Sequence, residues 1–200
     1  MRRLRPLLLV SLFCFTAACS PRDFLTRRLA ADLIAASNSF KEPQQFWLRT
    51  GIVSNRDYLS PEYLVLERRG WLSGSNAACP AGVGPAPCWD VALTPNGVNI
   101  FRDLVPPDRA ATQYFSVQTA RRELLEVTGI SKGDGLAEVD FRWKWVPLNA
   151  VGTALYNQGV EYNSAVGFRH YDDGWRLIEG STPKTYQGMD DALKNAEPAK

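Results

Sequence analysis

The chain has 200 residues with 23 Lys+Arg, 21 Asp+Glu and one His, a formal net charge of +2. At 45% hydrophobic and 22% charged residues it is globular in composition, and its length allows one domain or two small ones. A single histidine excludes an H-E-x-x-H zinc site, and no G-x-S-x-G, G-x-x-x-x-G-K-[ST] or G-x-G-x-x-G is present, so the sequence implies neither a metal nor a cofactor.

The first residues read as a targeting segment. Arg2, Arg3 and Arg5 form a basic start, and Leu7 to Ala18 form a mostly apolar run that is too short for a membrane span, which needs about 20 residues. The run ends in Thr16-Ala17-Ala18-Cys19. Small residues directly before a cysteine resemble the lipobox of bacterial lipoproteins, with Thr16 standing where that family usually has Leu. The resemblance implies cleavage before Cys19, a diacylglycerol thioether and an N-acyl chain on Cys19, and a location in the cell envelope. Ser20, rather than Asp, follows the cysteine, which by the same resemblance favours the outer membrane. Two or three acyl chains anchor stably where one does not. Removing residues 1–18 takes away three arginines and no acid. It leaves 20 Lys+Arg against 21 Asp+Glu, a net charge of −1 with no overall field to attract nucleic acid.

Cys14 leaves with the signal and Cys19 takes the lipid. Cys79 and Cys88 remain, flanking Pro80-Ala81-Gly82-Val83-Gly84-Pro85-Ala86-Pro87, a loop with no helix or strand period. In an oxidising compartment this pair predicts a disulfide. Eight intervening residues fit neither C-x-x-C redox chemistry nor a four-cysteine zinc site.

In chain order, Ser20-Pro21-Arg22-Asp23 carries a helix-start signal. Leu25, Leu29, Leu33, Ala36 and Phe40 then recur at helical spacing, predicting a helix over 21–38. Residues 43–50 are expected as a short second helix stopped by Gly51. Ser60-Pro61-Glu62 starts a third, ended by Gly70. Trp71-Leu72 and Asp90-Val91-Ala92-Leu93 form a ribbon, and Thr94-Pro95-Asn96-Gly97 opens another helix. Leu64 with Arg68-Arg69-Gly70-Trp71-Leu72, followed by Val91-Ala92-Leu93-Thr94-Pro95-Asn96-Gly97, resembles a winged-helix module over about residues 60–104. That resemblance implies a scaffold here. Arg68 and Arg69 are offset by Glu62 and Glu67, and DNA binding needs several free cations.

Pro106-Pro107-Asp108 marks an expected boundary between modules of residues 19–105 and 110–185. Beyond it the period becomes two. Phe115, Val117, Thr119 and Arg121 begin a long strand toward Val127, and residues 129–135 form a turn region. Ala137, Val139, Phe141, Trp143 and Trp145 alternate with Glu138, Asp140, Arg142 and Lys144, the pattern of an antiparallel sheet covered on one side. Asn149 to Tyr156 is a short helix. Residues 164–179 form a hairpin whose loop Asp172-Asp173-Gly174 sets Tyr171 against Trp175 and Phe168 against Ile178. Residues 186–200 are a weak helix and a loose tail. The fold class is α+β, and the C-terminal part resembles cystatin-like folds in architecture alone.

No residues form a catalytic set. Asp172-Asp173 and Asp190-Asp191 read as turn and terminus chemistry. Ser181-Thr182-Pro183-Lys184 matches S-x-x-K without its partner motifs, and His170 has no partner at hand in sequence. Phe141, Trp143, Trp145 and Trp175 form either core or an apolar ligand face. The sequence therefore points to a non-catalytic, lipid-anchored envelope protein that binds another envelope protein. A carrier or sensor of an apolar ligand is the alternative, and an envelope hydrolase using Glu138, Asp140 or Glu161 is a third reading.

Overall fold

The structure, a computed structural model, describes residues 24–105, 114–180 and 186–199. The cap signal at Ser20 and the boundary at 106–108 lie outside the described residues. Helix α1 (Arg27–Ala36) starts later than the expected residue 21, because the Thr26 hydroxyl accepts the Leu29 N–H and Phe24 to Thr26 are not helical. Its buried seam is Ala30 and Ile34, extended by Leu25 and Ser37. The expected Leu29–Leu33–Ala36 row is rotated off this seam: Leu29 and Leu33 flank it and Ala36 is exposed. The short helix α2 (Asn38–Lys41) sets Phe40 into the core.

Residues 43–50 are not helical. They contain β1 (Gln44–Arg49), in which Phe46 and Leu48 are buried while Trp47 and Arg49 are exposed, a period of two. β2 (Gly51–Ser54) follows at once, then the short helices α3 (Asn55–Tyr58) and α4 (Pro61–Arg68). α4 ends where expected. Gly70, at φ +69°, donates to the Glu67 carbonyl while Trp71 N–H reaches the Leu66 carbonyl, a Schellman closure. β3 (Leu72–Ala77), β4 (Cys88–Leu93) and α5 (Pro95–Phe101) match the expected ribbon and helix, and the three strands form a sheet of order β2-β4-β3. Thr94 joins the two ends of this unit. Its hydroxyl donates to the Gly70 carbonyl (2.6 Å) and accepts the Gly97 N–H (3.1 Å).

Tyr58 lies beneath this small sheet. Its ring stacks on Trp89 at 4.4 Å, and its hydroxyl donates to Glu67 Oε1 at 2.6 Å. Burial, reinforced by the Glu67 carboxylate, pushes its pKa up to about 12. The unfolded phenol ionises near 10, so this contribution is complete below pH 10 and is lost as the pH rises from 10 through 12. Tyr58→Phe is expected to flatten the loss of stability in that window, read from urea melts at pH 9 to 12.

β5 (Tyr114–Gly133) is longer than expected and runs through the predicted turn region, so the turn contracts to Asp134-Gly135. β6 (Leu136–Pro147), α6 (Ala150–Leu155), β7 (Glu161–Tyr171) and β8 (Gly174–Leu177) follow. The antiparallel sheet has the order β1-β5-β6-β7-β8. The β7–β8 register differs by one residue from the expected one. Tyr171 pairs with Gly174, His170 with Trp175 and Phe168 with Leu177, around a two-residue loop of Asp172-Asp173. Gly174, at φ +123°, takes the positive φ as a paired strand residue rather than as the third loop residue. The C-terminus is not a loose tail: α7 (Met189–Lys194) buries Met189 and Ala192, and β9 (Glu197–Pro198) pairs with β7.

β5 connects two cores. Phe115 and Val117 face one, with Phe46, Leu48, Leu66, Val91 and Phe101. Val127, flanked by Leu124 and Ile130, faces the other, with α1 and the inner row of β6 and β7. The phase changes at Thr119 and Ala120, which are buried in succession, and later register shifts keep the second core in phase across two bulges. α1 and α2 pack on β5, and β1 pairs with it.

Candidate functional site

Cys79 and Cys88 form a disulfide at the base of the Pro-rich loop. Cys88 is fully buried at the start of β4. Closing about ten residues is worth roughly 2.7 kcal/mol in the chain-entropy account. Cys79→Ala/Cys88→Ala is expected to lower the unfolding free energy from urea melts by an amount of that order, and reductant is expected to reproduce the loss in the wild type.

The four aromatics proposed as a ligand face occupy the second core. Phe141 and Trp143 are 1% and 2% exposed. Phe40 packs edge-on against both rings, at 6.1 and 6.4 Å, so α2 covers them. Trp143 Nε1 donates to Ser164 Oγ (3.0 Å), and its ring stacks on Tyr162. Trp145 lies against Tyr156 (4.5 Å) and under the Arg122 guanidinium (4.4 Å), while Trp175 faces His170 on the neighbouring strand (5.0 Å). Phe141 and Trp143 are closed off within the core, and Trp145 and Trp175 lie half-buried against it.

Arg122 is half-buried in this region. Nη1 donates to the Ser39 carbonyl (2.8 Å) and Nη2 to Gln44 Oε1 (3.4 Å), while Nε has no partner. Burial lowers its pKa. It acts as a clamp, fastening α2 and the start of β1 to β5.

Glu138, Asp140 and Glu161 lie on the outer face of the adjacent strands β6 and β7. Glu161 is held by Arg142 (3.1 Å), which also binds Glu126, so this trio ties β5, β6 and β7 on the wet face. Asp172 and Asp173 sit in the hairpin turn, with Asp173 bound to Arg176, and Asp190 and Asp191 occupy the first turn of α7. His170 lies at the turn end of β7, its Nε2 buried without a hydrogen-bond partner. Residues 181–184, the S-x-x-K match, lie outside the described residues. Among the described residues, no group of three His, Cys, Asp or Glu could hold a metal, and no helix is long and apolar enough to cross a membrane.

What the structure brings together instead is Trp47 and Tyr114. They are 52% and 55% exposed, yet stacked on each other at 5.3 Å and 16°. β1 supplies Trp47 because Phe46 and Leu48 take the inward positions, and β5 supplies Tyr114 because Phe115 and Val117 do the same. The antiparallel register, Trp47 opposite Ser116 and Arg49 opposite Tyr114, makes the two rings diagonal neighbours. Trp47 forms part of the wall of three adjoining depressions. One, of about 580 Å3, runs toward Arg56 and Glu62; a second runs toward Asn38 and Asp190; a third runs toward Leu148 and Asn149. The strand edge itself is capped. Arg49 N–H donates to the Tyr63 hydroxyl (2.7 Å), which donates back to the Arg49 carbonyl (3.0 Å), and a register shift bends β1 at Gln44/Gln45. Burial raises the Tyr63 pKa, keeping this cap protonated. Such an edge resists strand addition, so recognition here falls to side chains. The sequence reading missed this pair because it took β1 for a helix. The available signal was the unbroken Phe46-Trp47-Leu48, in which the tryptophan is one apolar residue more than the inward row can use.

No family model, curated protein or solved structure matches the chain.

Proposed function

We propose that the chain is a lipid-anchored envelope lipoprotein, non-catalytic, which binds another envelope component through the Trp47–Tyr114 face. The exposed, mutually stacked pair carries the binding half of this reading. Tryptophan, tyrosine and arginine are the residue types that dominate association energies, and here Trp47, Tyr114, Arg49 and Arg56 gather around one groove without being needed to fill a core. The anchoring half rests on the basic start, the apolar run and Thr16-Ala17-Ala18-Cys19. Cys19 carries the lipid, residues 1–18 are the removed signal, and Ser20 directs the protein to the periplasmic face of the outer membrane.

The finer fold reading serves the same function. The order α4, the β3–β4 ribbon and α5 supports a winged-helix-like scaffold over residues 60–104 that packs against β1. α1 lying on the antiparallel sheet supports the cystatin-like reading of the rest. Neither likeness carries a function of its own.

The test places a photo-crosslinking residue at Trp47 in the full-length protein in intact envelopes, with Asn76, an exposed polar strand residue, as control. A discrete adduct from position 47 that is absent from position 76 is the expected result. Identical patterns from both, or none from either with the protein folded and abundant, would contradict a binding face there.

A further inference from the structure

We infer that the end of the sheet opposite the Trp47–Tyr114 face is a membrane-contacting surface that fits anionic headgroups. This rests on the reading of Cys19 as lipidated. Four residues, Ser20 to Asp23, separate Cys19 from Phe24, so the tether reaches at most about 18 Å from Phe24. Phe24 lies at the β5–β6 turn end of the sheet: the Lys132 ammonium stands 5.9 Å over its ring, and Arg27 Nη2 donates to the Thr128 carbonyl (3.1 Å). The β7–β8 turn lies at the same end, because Leu136 pairs with Arg169 and the His170 N–H reaches the Gly135 carbonyl. A tether this short holds both turns near the bilayer.

The side chains at this end suit that position. Phe24 and Tyr171 are exposed, at 55% and 42%, and each carries a cation over its ring, Lys132 over Phe24 and Arg176 over Tyr171 at 4.9 Å. An apolar ring with a cation on it matches the boundary between acyl chain and headgroup, where aromatics lie at the interface and long cations reach headgroups. Lys132, Arg169 and Arg176 stand at the two turns, and Arg27 and Arg28 add cations at the start of α1 beside Phe24. The geometry also sets the reach of the binding face. β5 runs from Lys132 at the bilayer to Tyr114, up to about 60 Å along the strand, so Trp47 and Tyr114 are presented away from the membrane.

The experiment uses full-length lipidated protein in vesicles of zwitterionic phosphatidylethanolamine with 30% phosphatidylglycerol, containing nitroxide-labelled lipid as quencher. A fluorophore is attached through Asp172→Cys in one preparation and Arg49→Cys in another. Quenching at 172 is expected to exceed that at 49 at least fivefold. Adding Lys132→Glu and Arg169→Glu is expected to reduce quenching at 172 at least twofold, whereas the exposed Arg121→Glu leaves it unchanged. Protein that floats with the vesicles but is quenched equally at both positions, or at neither, would overturn the inference and leave the anchor standing. Failure to float would overturn the anchor and the inference with it.

Discussion

Gly152→Val is expected to leave the chain unfolded, and Gly152→Ala to cost about 3 kcal/mol. Gly152 lies in α6, and a Cβ on it would stand 1.8 Å from the Thr119 carbonyl oxygen and 3.2 Å from Pro147 Cβ. The obstacle is backbone. The Thr119 carbonyl accepts the Leu148 N–H at 2.9 Å, so moving it away breaks the bond that turns the chain from β6 toward α6. Asn149 leaves little slack, because its Oδ1 accepts the Gly152 N–H (2.9 Å) while its Nδ2 donates to the Gln118 carbonyl (2.6 Å). Thr119 also sits where β5 changes the core it faces, so displacement is felt on both sides of the sheet. Against a total stability of about 5–15 kcal/mol this is a large fraction. Urea melts check it, with the exposed neighbour Thr153→Ala as control, expected to shift stability by about 0.5 kcal/mol or less.

The second large effect concerns location. Residues 20–200, exported behind an unrelated cleavable signal that leaves no cysteine at the mature N-terminus, are expected to move from the salt-washed membrane fraction to the soluble periplasmic fraction almost completely. Each buried acyl CH2 contributes about 0.8 kcal/mol, so two or three chains hold a protein through repeated washing. The cations at the β5–β6 and β7–β8 turns act only within about a Debye length and are screened by salt. They orient an anchored protein without replacing its anchor. Immunoblots of fractionated envelopes measure the difference, and retention of the chain lacking Cys19 after a high-salt wash would contradict it.

Much of the fold was legible where one local signal sufficed. Ala137 to Trp145 alternate without exception and form β6. Ser60-Pro61 and Gly70 bracket α4, and Thr94-Pro95 opens α5, because caps act within a few residues of themselves. The Cys79–Cys88 pairing was legible because the other cysteines had been assigned elsewhere. Failures came where a distant partner decides. Seven residues between Pro43 and Gly51 are too few for periodicity to separate helix from strand, and it is pairing with β5 that makes β1 a strand. The hairpin register turned on whether Gly174 is a loop or a paired residue. β9 exists only because β7 leaves an edge free at Tyr162 and Asn163. The Trp47–Tyr114 face was missed for the same reason: Trp47 stands out only once β1 is a strand, and only the register of β1 on β5 stacks the two rings.

Intact mass measurement of the mature protein, extracted from envelopes in detergent, tests the central claim most directly. The account predicts a chain beginning at Cys19 and lacking residues 1–18, with the added mass of a diacylglyceryl group and one N-linked acyl chain, and two hydrogens lighter than the reduced form through the Cys79–Cys88 bond. A mature chain with an unmodified thiol at Cys19, or one that keeps residues 1–18, would contradict it.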